Sequence, residues 1–173
     1  RSSDLDEDKI RLKRSLRNEL KTEENDFNFA FDIRPYSYQK EILDKLKVER
    51  EIFNKNRNLV IAATGVGKTV ISAFDYKNYC NDNKGKANRL LFVVHREEIL
   101  KQARDTFRAI LKNNNFGDLM VGGRTPDSLE YLFVSIQSLN SKSLYDVTSD
   151  DYYDFIIVDE FHHRSEERRV GKE

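Results

Sequence analysis

Two short segments of the sequence carry the residue types that phosphate chemistry needs. The first, Ala62–Thr69, reads Ala-Ala-Thr-Gly-Val-Gly-Lys-Thr. Its glycines let backbone amides turn toward a bound anion, because no side chain blocks that turn. The lysine can reach the β- and γ-phosphates, and the last threonine offers a hydroxyl to magnesium. The spacing predicts a phosphate loop with the nucleotide-binding residues Thr64, Gly65, Val66, Gly67, Lys68 and Thr69.

The second segment, Asp159–His163, reads Asp-Glu-Phe-His-His and follows the apolar run Phe155–Val158. Both carboxylates are therefore expected at the tip of a buried strand. Phosphoryl transfer to water needs one group that holds magnesium and another that orients the attacking water. We assign the first role to Asp159, together with Thr69, and the second to Glu160 as general base or positioning residue.

The histidines of this second segment leave a transition-metal site open as an alternative. Zinc sites need three or four ligands at suitable spacing, and the sequence has neither a cysteine pair nor an HExxH pattern. We favour magnesium, with His162 as a member of the catalytic segment. Cys80 is the sole cysteine, so an internal disulfide is impossible and a reducing cytoplasm is the expected location.

The elements that must position these residues follow an alternating pattern of apolar runs and helical stripes. Short apolar runs predict strands at Leu59–Ala63, Leu90–Val94, Leu119–Val121, Tyr131–Ser135 and Phe155–Val158. Apolar residues at helical spacing predict helices at about 37–56, 68–80 and 97–111. This alternation predicts an α/β fold in which helices cover both faces of a mostly parallel sheet. In such folds ligands bind at the carboxyl ends of the strands, where nearly all of the candidate residues fall.

Composition excludes few classes of function. Lys and Arg together number 30, as do Asp and Glu, so net charge neither favours nor disfavours a polyanionic partner. No apolar run reaches the ~18 residues of a membrane span, and no secretory signal is present, so no membrane partner is expected. The 173 residues suffice for one domain.

Charge patterning divides the chain into three parts. Residues 1–30 carry dense charges of both signs and are interpreted as a charged helix or linker from an upstream region. Residues 31–163 form the predicted nucleotide-binding domain. Residues 164–173 have one apolar member and no periodicity, so we interpret them as a tail that is unassigned or foreign. Because the chain begins at Arg1 rather than at a methionine, we expect it to be part of a longer protein.

In this order, the segments resemble the first motor domain of superfamily 2 helicases and translocases, the DExH-box group. Ala62–Thr69 looks like motif I and Asp159–His162 like motif II, while Gln39 looks like the glutamine that reads adenine in the Q-motif. Helicases of this kind often place a base-stacking arginine where this sequence has Tyr36. The resemblance implies a RecA-like P-loop NTPase domain, truncated after the motif II strand, which binds ATP and Mg²⁺.

Three further segments resemble the nucleic-acid contacts of the same family. They begin near His95, Gly122 and Ser135 and look like motifs Ia, Ib and Ic. Amides, hydroxyls and arginines at such junctions can bind phosphate oxygens without reading base sequence. The residues implied are His95, Arg96, Gly122, Gly123, Ser135 and Gln137. The implied partner is DNA, contacted along the backbone of one strand of a duplex.

The leading hypothesis is an ATP-dependent DNA helicase or translocase, similar to restriction-enzyme-type bacterial DNA helicases. The alternatives are a regulatory ATPase that binds nucleic acid, an RNA helicase without processive DNA unwinding, and a metabolic P-loop kinase. The resemblance implies a second RecA-like domain in the same protein, and the chain also resembles bacterial helicase-like proteins that carry an upstream nuclease domain. Because ATP in this family is bound between two such domains, the fragment alone is expected to be weakly active or inactive.

Overall fold

The computed structural model describes residues 32–63, 65–122, 126–141, 144 and 148–159. The predicted linker at 1–30 and the predicted tail at 164–173 lie outside these residues. Two compact units divide the chain, Arg1–Arg34 and Pro35–Glu173. In the first unit, the described residues include a surface ion pair of 3.0 Å between Arg34 and Asp32. Everything below concerns the second unit.

The described part of the second unit alternates helices and strands. In chain order the elements are α1 (Ser37–Glu51), α2 (Lys68–Asp82), β1 (Leu90–Val94), α3 (Glu97–Leu111), β2 (Asp118–Met120), β3 (Tyr131–Ser135), α4 (Ile136–Ser141) and β4 (Phe155–Val158). The bounds predicted for β1, α3, β3 and β4 are confirmed. None of the helices in the described residues is long and apolar enough to cross a bilayer.

The four strands form one parallel sheet in the order β2-β3-β1-β4. In the register, Val94 lies opposite Ser135, Met120 opposite Val134, and Val93 opposite Val158. The carboxyl ends of all four strands therefore meet at one edge of the sheet. The predicted α/β fold with a parallel sheet is confirmed.

The core lies on both faces of this sheet because the side chains of a strand alternate between its faces. From β1, Leu90, Phe92 and Val94 pack with α1, α2 and α3, while Leu91 and Val93 pack into a second cluster on the other face. All five side chains of β1 are buried. A central strand that is buried on both faces reads as a continuous apolar run, which is why the sequence revealed β1 clearly.

The predicted strand at Leu59–Ala63 is wrong. The segment is irregular, and Leu59 and Ile61 are 70% and 80% exposed. An apolar run becomes a strand only where a neighbour satisfies its backbone groups. Among the described residues β4 is one of the two edge strands, and its apolar side chains Ile156 and Val158 are 57% and 49% exposed.

One helix prediction also needs correction. Helix α1 was expected to extend to about residue 56 but ends at Glu51, and Ile52 and Phe53 are exposed. Asn54 adopts a φ of 51°, a left-handed conformation that asparagine tolerates and that no α-helix contains. Helix α4 follows β3 without a loop, so this predicted nucleic-acid segment lies at a strand-to-helix junction.

Candidate functional site

The predicted phosphate loop is a tight turn that leads into α2. Gly65 and Gly67 have φ values of 85° and 77°, which L side chains rarely adopt. Gly67 is the N-cap of α2, and Lys68 is its first residue. Because glycine has no side chain to cap the helix, the first-turn amides remain available to an anion, with the positive end of the helix dipole behind them. Thr64 lies outside the described residues.

The side chain of Gln39 connects this loop to the first turn of α1 through hydrogen bonds. Its side chain is 2% exposed, and its Oε1 accepts a hydrogen bond of 2.9 Å from the backbone N–H of Tyr36. Its Nε2 donates to the carbonyl oxygen of Val66 at 2.9 Å. An amide can make about four hydrogen bonds, so two sites of Gln39 are engaged here. Its adenine-reading role stays a prediction.

The two glycines of the loop have different surroundings. A Cβ atom on Gly67 would lie 2.8 Å from Nε2 of Gln39, so a side chain at this position would force that amide to shift. A Cβ on Gly65 would meet nothing within 4 Å, so that side of the loop is open. One side of the turn is thus packed on α1, and the other is accessible to a ligand.

Asp159 extends from the end of β4 toward the same region. Its backbone N–H donates to the carbonyl of Val93 at 2.9 Å, which continues the pairing of β4 with β1 by one residue. Asp159 and Lys68 line one cavity of about 580 Å³. Thr69, the second predicted magnesium ligand, is half-buried in the first turn of α2. The structure therefore places the predicted lysine and the first predicted carboxylate at a common cavity.

Glu160 and His162 lie outside the described residues, so their predicted roles stay predictions. Within the described part of the chain, no group of three or more His, Cys, Asp and Glu side chains is arranged to hold a metal ion. The remainder of the cavity is mixed in character. Polar side chains, including those of Arg50 and Asp75, line it together with the apolar side chains of Leu59, Val60, Ile156 and Val158.

Most of the predicted nucleic-acid residues lie at the carboxyl edge of the sheet. His95 and Arg96 follow β1, Gly122 follows β2, and Gln137 follows β3 in the first turn of α4. All four are exposed. Parallel pairing brings their strand ends side by side, as the sequence analysis required. Gly123 lies outside the described residues.

Ser135 differs from the others because its side chain is fully buried, with 0% exposure. Its Oγ lies 3.2 Å from Oε1 of Glu97, the first residue of α3, and accepts from the backbone N–H of Ser138 at 3.2 Å. The hydroxyl thus connects the predicted motif Ic to the predicted motif Ia. Direct contact between Ser135 and nucleic acid stays a prediction.

Two interactions near the site were missed by the sequence analysis. The hydroxyl of Tyr38 donates to the Val66 carbonyl at 3.3 Å. Arg50 of α1 binds Asp75 of α2 through two hydrogen bonds, which raise the pKa of the guanidinium. The sequence contained one indication of the Arg50–Asp75 pair. Asp75 follows Ile71 by four residues, so it falls on the apolar face of α2, where a carboxylate needs a partner.

Comparison with known protein families gave a match over most of the chain. A family model described as "Type III restriction enzyme, res subunit" matches residues 32–172, most of the chain. Comparison with curated proteins gave no match. The family match spans both the phosphate loop and the strand that ends at Asp159. The chain therefore belongs to the type III restriction enzyme res subunit family, whose helicase-type ATPase domains have a RecA-like fold.

Proposed function

We propose that the chain is the ATP-binding half of an ATP-dependent DNA helicase or translocase. One observation carries the proposal: Lys68, at the open N-terminus of α2, and Asp159, at the tip of β4, line the same cavity. A lysine and a carboxylate at one cavity suit a triphosphate and its metal better than either residue alone. A family of helicase-type ATPases supports the same chemistry.

Each residue has a defined task in this proposal. The first-turn amides of α2 bind phosphate oxygens, and Lys68 neutralises charge on the β- and γ-phosphates. Thr69 and Asp159 would hold Mg²⁺, which when bound draws charge from the phosphate oxygens. Glu160, the next residue in the chain, orients the attacking water and accepts its proton. Tyr36 and Gln39, at the start of α1, bind the adenine base.

The exposed residues at the carboxyl edge supply the nucleic-acid side of the proposal. His95, Arg96 and Gln137 offer donors to phosphate oxygens, and Gly122 offers a backbone amide. Such contacts are independent of base sequence, as a motor that moves along a strand requires. A second motor domain in the same protein would close on the nucleotide and make turnover productive.

Titration of the chain with Mg·ATP in a calorimeter tests the nucleotide site. We expect binding, which Lys68→Ala weakens at least tenfold because the phosphates lose their fixed positive charge. Lys101→Ala is the matched control, since it removes the same charge from the exposed face of α3. Equal affinity in Lys68→Ala and the wild type would contradict the proposed site.

Fluorescence anisotropy with labelled single strands of DNA and RNA tests the partner. We expect DNA binding that weakens as salt rises, with a slope that Arg96→Ala reduces by about one. Lys84→Ala, which removes an exposed charge from the turn after α2, should keep the wild-type slope. Binding to RNA alone would favour the RNA-helicase alternative. Binding to neither DNA nor RNA would contradict the proposed helicase or translocase function.

A further inference from the structure

The carbonyl of Val66 receives two side-chain donors from consecutive residues of α1. Gln39 Nε2 donates at 2.9 Å and the hydroxyl of Tyr38 at 3.3 Å. Val66 lies between Gly65 and Gly67, both of which have positive φ. Glycine leaves the orientation of adjoining peptide groups weakly determined, because no Cβ restricts it. The two donors therefore help to set how the phosphate loop is oriented.

The ring of Tyr38 has a second contact on the solvent side. It stacks on the ring of Tyr36, with a centroid distance of 5.8 Å and an interplanar angle of 13°. The two side chains are 42% and 69% exposed, so burial in the core does not explain the pair. Exposed aromatic rings are the surfaces on which nucleobases stack, at about 1–3 kcal/mol per base.

We propose that Tyr38 is a positioning residue for a nucleoside triphosphate, with its ring supporting the base and its hydroxyl holding the phosphate loop. The inference rests on the proposed function. Tyr36 presents the outer ring of the stack, and Tyr38 connects that ring to the Val66 carbonyl. Base binding and loop geometry are thus linked through Tyr38 as well as through Gln39, which donates to the same carbonyl.

Two variants separate the ring from the hydroxyl. Tyr38→Phe removes only the hydroxyl, and Tyr38→Leu removes the ring as well. Calorimetric titrations of the full chain use adenosine for the base half, inorganic tripolyphosphate for the phosphate half, and Mg·ATP for both. Tyr152→Phe is the matched control, because Tyr152 precedes β4 at the amino edge of the sheet. Circular dichroism shows whether each variant keeps its fold.

In Tyr38→Phe we expect unchanged adenosine affinity and about three- to tenfold weaker binding of tripolyphosphate and Mg·ATP, the effect of one lost hydrogen bond. Tyr38→Leu should weaken binding of all three ligands. Wild-type tripolyphosphate and Mg·ATP affinities in Tyr38→Phe would overturn the hydroxyl's role, and wild-type adenosine affinity in Tyr38→Leu would overturn the ring's role. If the wild-type chain binds neither tripolyphosphate nor Mg·ATP, the proposed function is refuted, and this inference, which rests on it, is refuted as well.

Discussion

Arg50 and Asp75 form a two-pronged ion pair that joins the helix of the proposed base site to the helix of the phosphate loop. Nη1 of Arg50 lies 2.9 Å from Oδ2 of Asp75, and Nη2 contacts Oδ1. The two side chains are 19% and 10% exposed. The guanidinium also lies 5.9 Å from the ring centroid of Phe155, the first residue of β4. One side chain therefore contacts all three elements that converge on the proposed site.

Replacement of Arg50 should destabilise the fold. Arg50→Met keeps the apolar stem but leaves the Asp75 carboxylate in a mostly buried position without its partner. We expect a loss of about 3 kcal/mol in the free energy of unfolding, measured by urea denaturation. The double variant Arg50→Met with Asp75→Leu should recover much of this loss, because no unpaired charge remains.

The control for this prediction is Lys47→Met, one turn earlier in α1. Lys47 pairs with Asp82 at 3.3 Å, but both side chains are more than 40% exposed. Exposed ion pairs contribute little to stability, so this variant should unfold close to the wild-type urea concentration. An equal shift of the urea midpoint in Arg50→Met and Lys47→Met would contradict the prediction, because it would show that the buried ion pair stabilises the fold no more than the exposed one.

Gly67→Ala should impair nucleotide binding more than its backbone strain alone explains. The left-handed φ costs a non-glycine residue about 1–2 kcal/mol, and the new Cβ would also displace Nε2 of Gln39. Gly65→Ala in the same loop is the matched control, since its φ of 85° is also left-handed but its Cβ would meet nothing within 4 Å. Urea denaturation and Mg·ATP titration of both variants isolate the contact with Gln39. Similar losses of stability and of Mg·ATP affinity in both variants would show that the contact with Gln39 has no effect.

Stability should fall in alkaline solution partly through Tyr76. Its side chain is 2% exposed, its hydroxyl donates to the Asn88 carbonyl at 2.6 Å, and burial raises its pKa well above the ordinary value. Above pH ~10 the unfolded chain releases this proton while the folded chain retains it, so rising pH favours unfolding. We expect this one group to contribute a slope of about −1.4 kcal/mol per pH unit.

Urea unfolding of Tyr76→Phe between pH 8 and pH 11 measures this contribution. The variant should be less stable by about 1 kcal/mol at pH 8, where it lacks the hydrogen bond, and should lose stability less steeply above pH 10. Tyr153, whose pKa burial raises to about 12, remains in both proteins and keeps part of the slope. Parallel curves for the two proteins would contradict the assignment to Tyr76.

Ser135 and Gln137 should respond differently to replacement by alanine. Ser135→Ala removes a buried hydroxyl that contacts Glu97, so we expect a loss of about 1 kcal/mol in stability together with weaker binding of single-stranded DNA. Gln137→Ala removes an exposed amide and should weaken DNA binding with stability unchanged. If Ser135→Ala lowers DNA affinity without any loss of stability, the hydroxyl acts on the nucleic acid directly.

The sequence predicted those parts of the fold in which local pattern and burial coincide. Strands β1 and β3 are covered on both faces, and each appears as an unbroken apolar run. Leu59–Ala63 has the same pattern but lacks a paired neighbour among the described residues, and no local pattern reveals a missing neighbour. The loop and Asp159 were predicted because their chemistry is contained in short segments.

The interactions that connect these segments were not predicted, since they join residues far apart in the chain. Gln39 was identified as a base reader, but its contact with the Val66 carbonyl spans 27 residues. The Arg50–Asp75 pair spans 25. Distances of this kind depend on how α1 packs on α2. The burial of Ser135 likewise follows from the position of α3 over the sheet.

The exposed apolar side chains of β4 affect how the molecule behaves in concentrated solution. Within the described residues, β4 leaves one row of backbone donors and acceptors unpaired, with Ile156 and Val158 next to it. Such a row is a template for intermolecular strand pairing. The chain should therefore self-associate as its concentration rises and bind dyes that fluoresce on apolar surfaces. The strand that precedes Asp159 is thus also expected to favour self-association of the molecule.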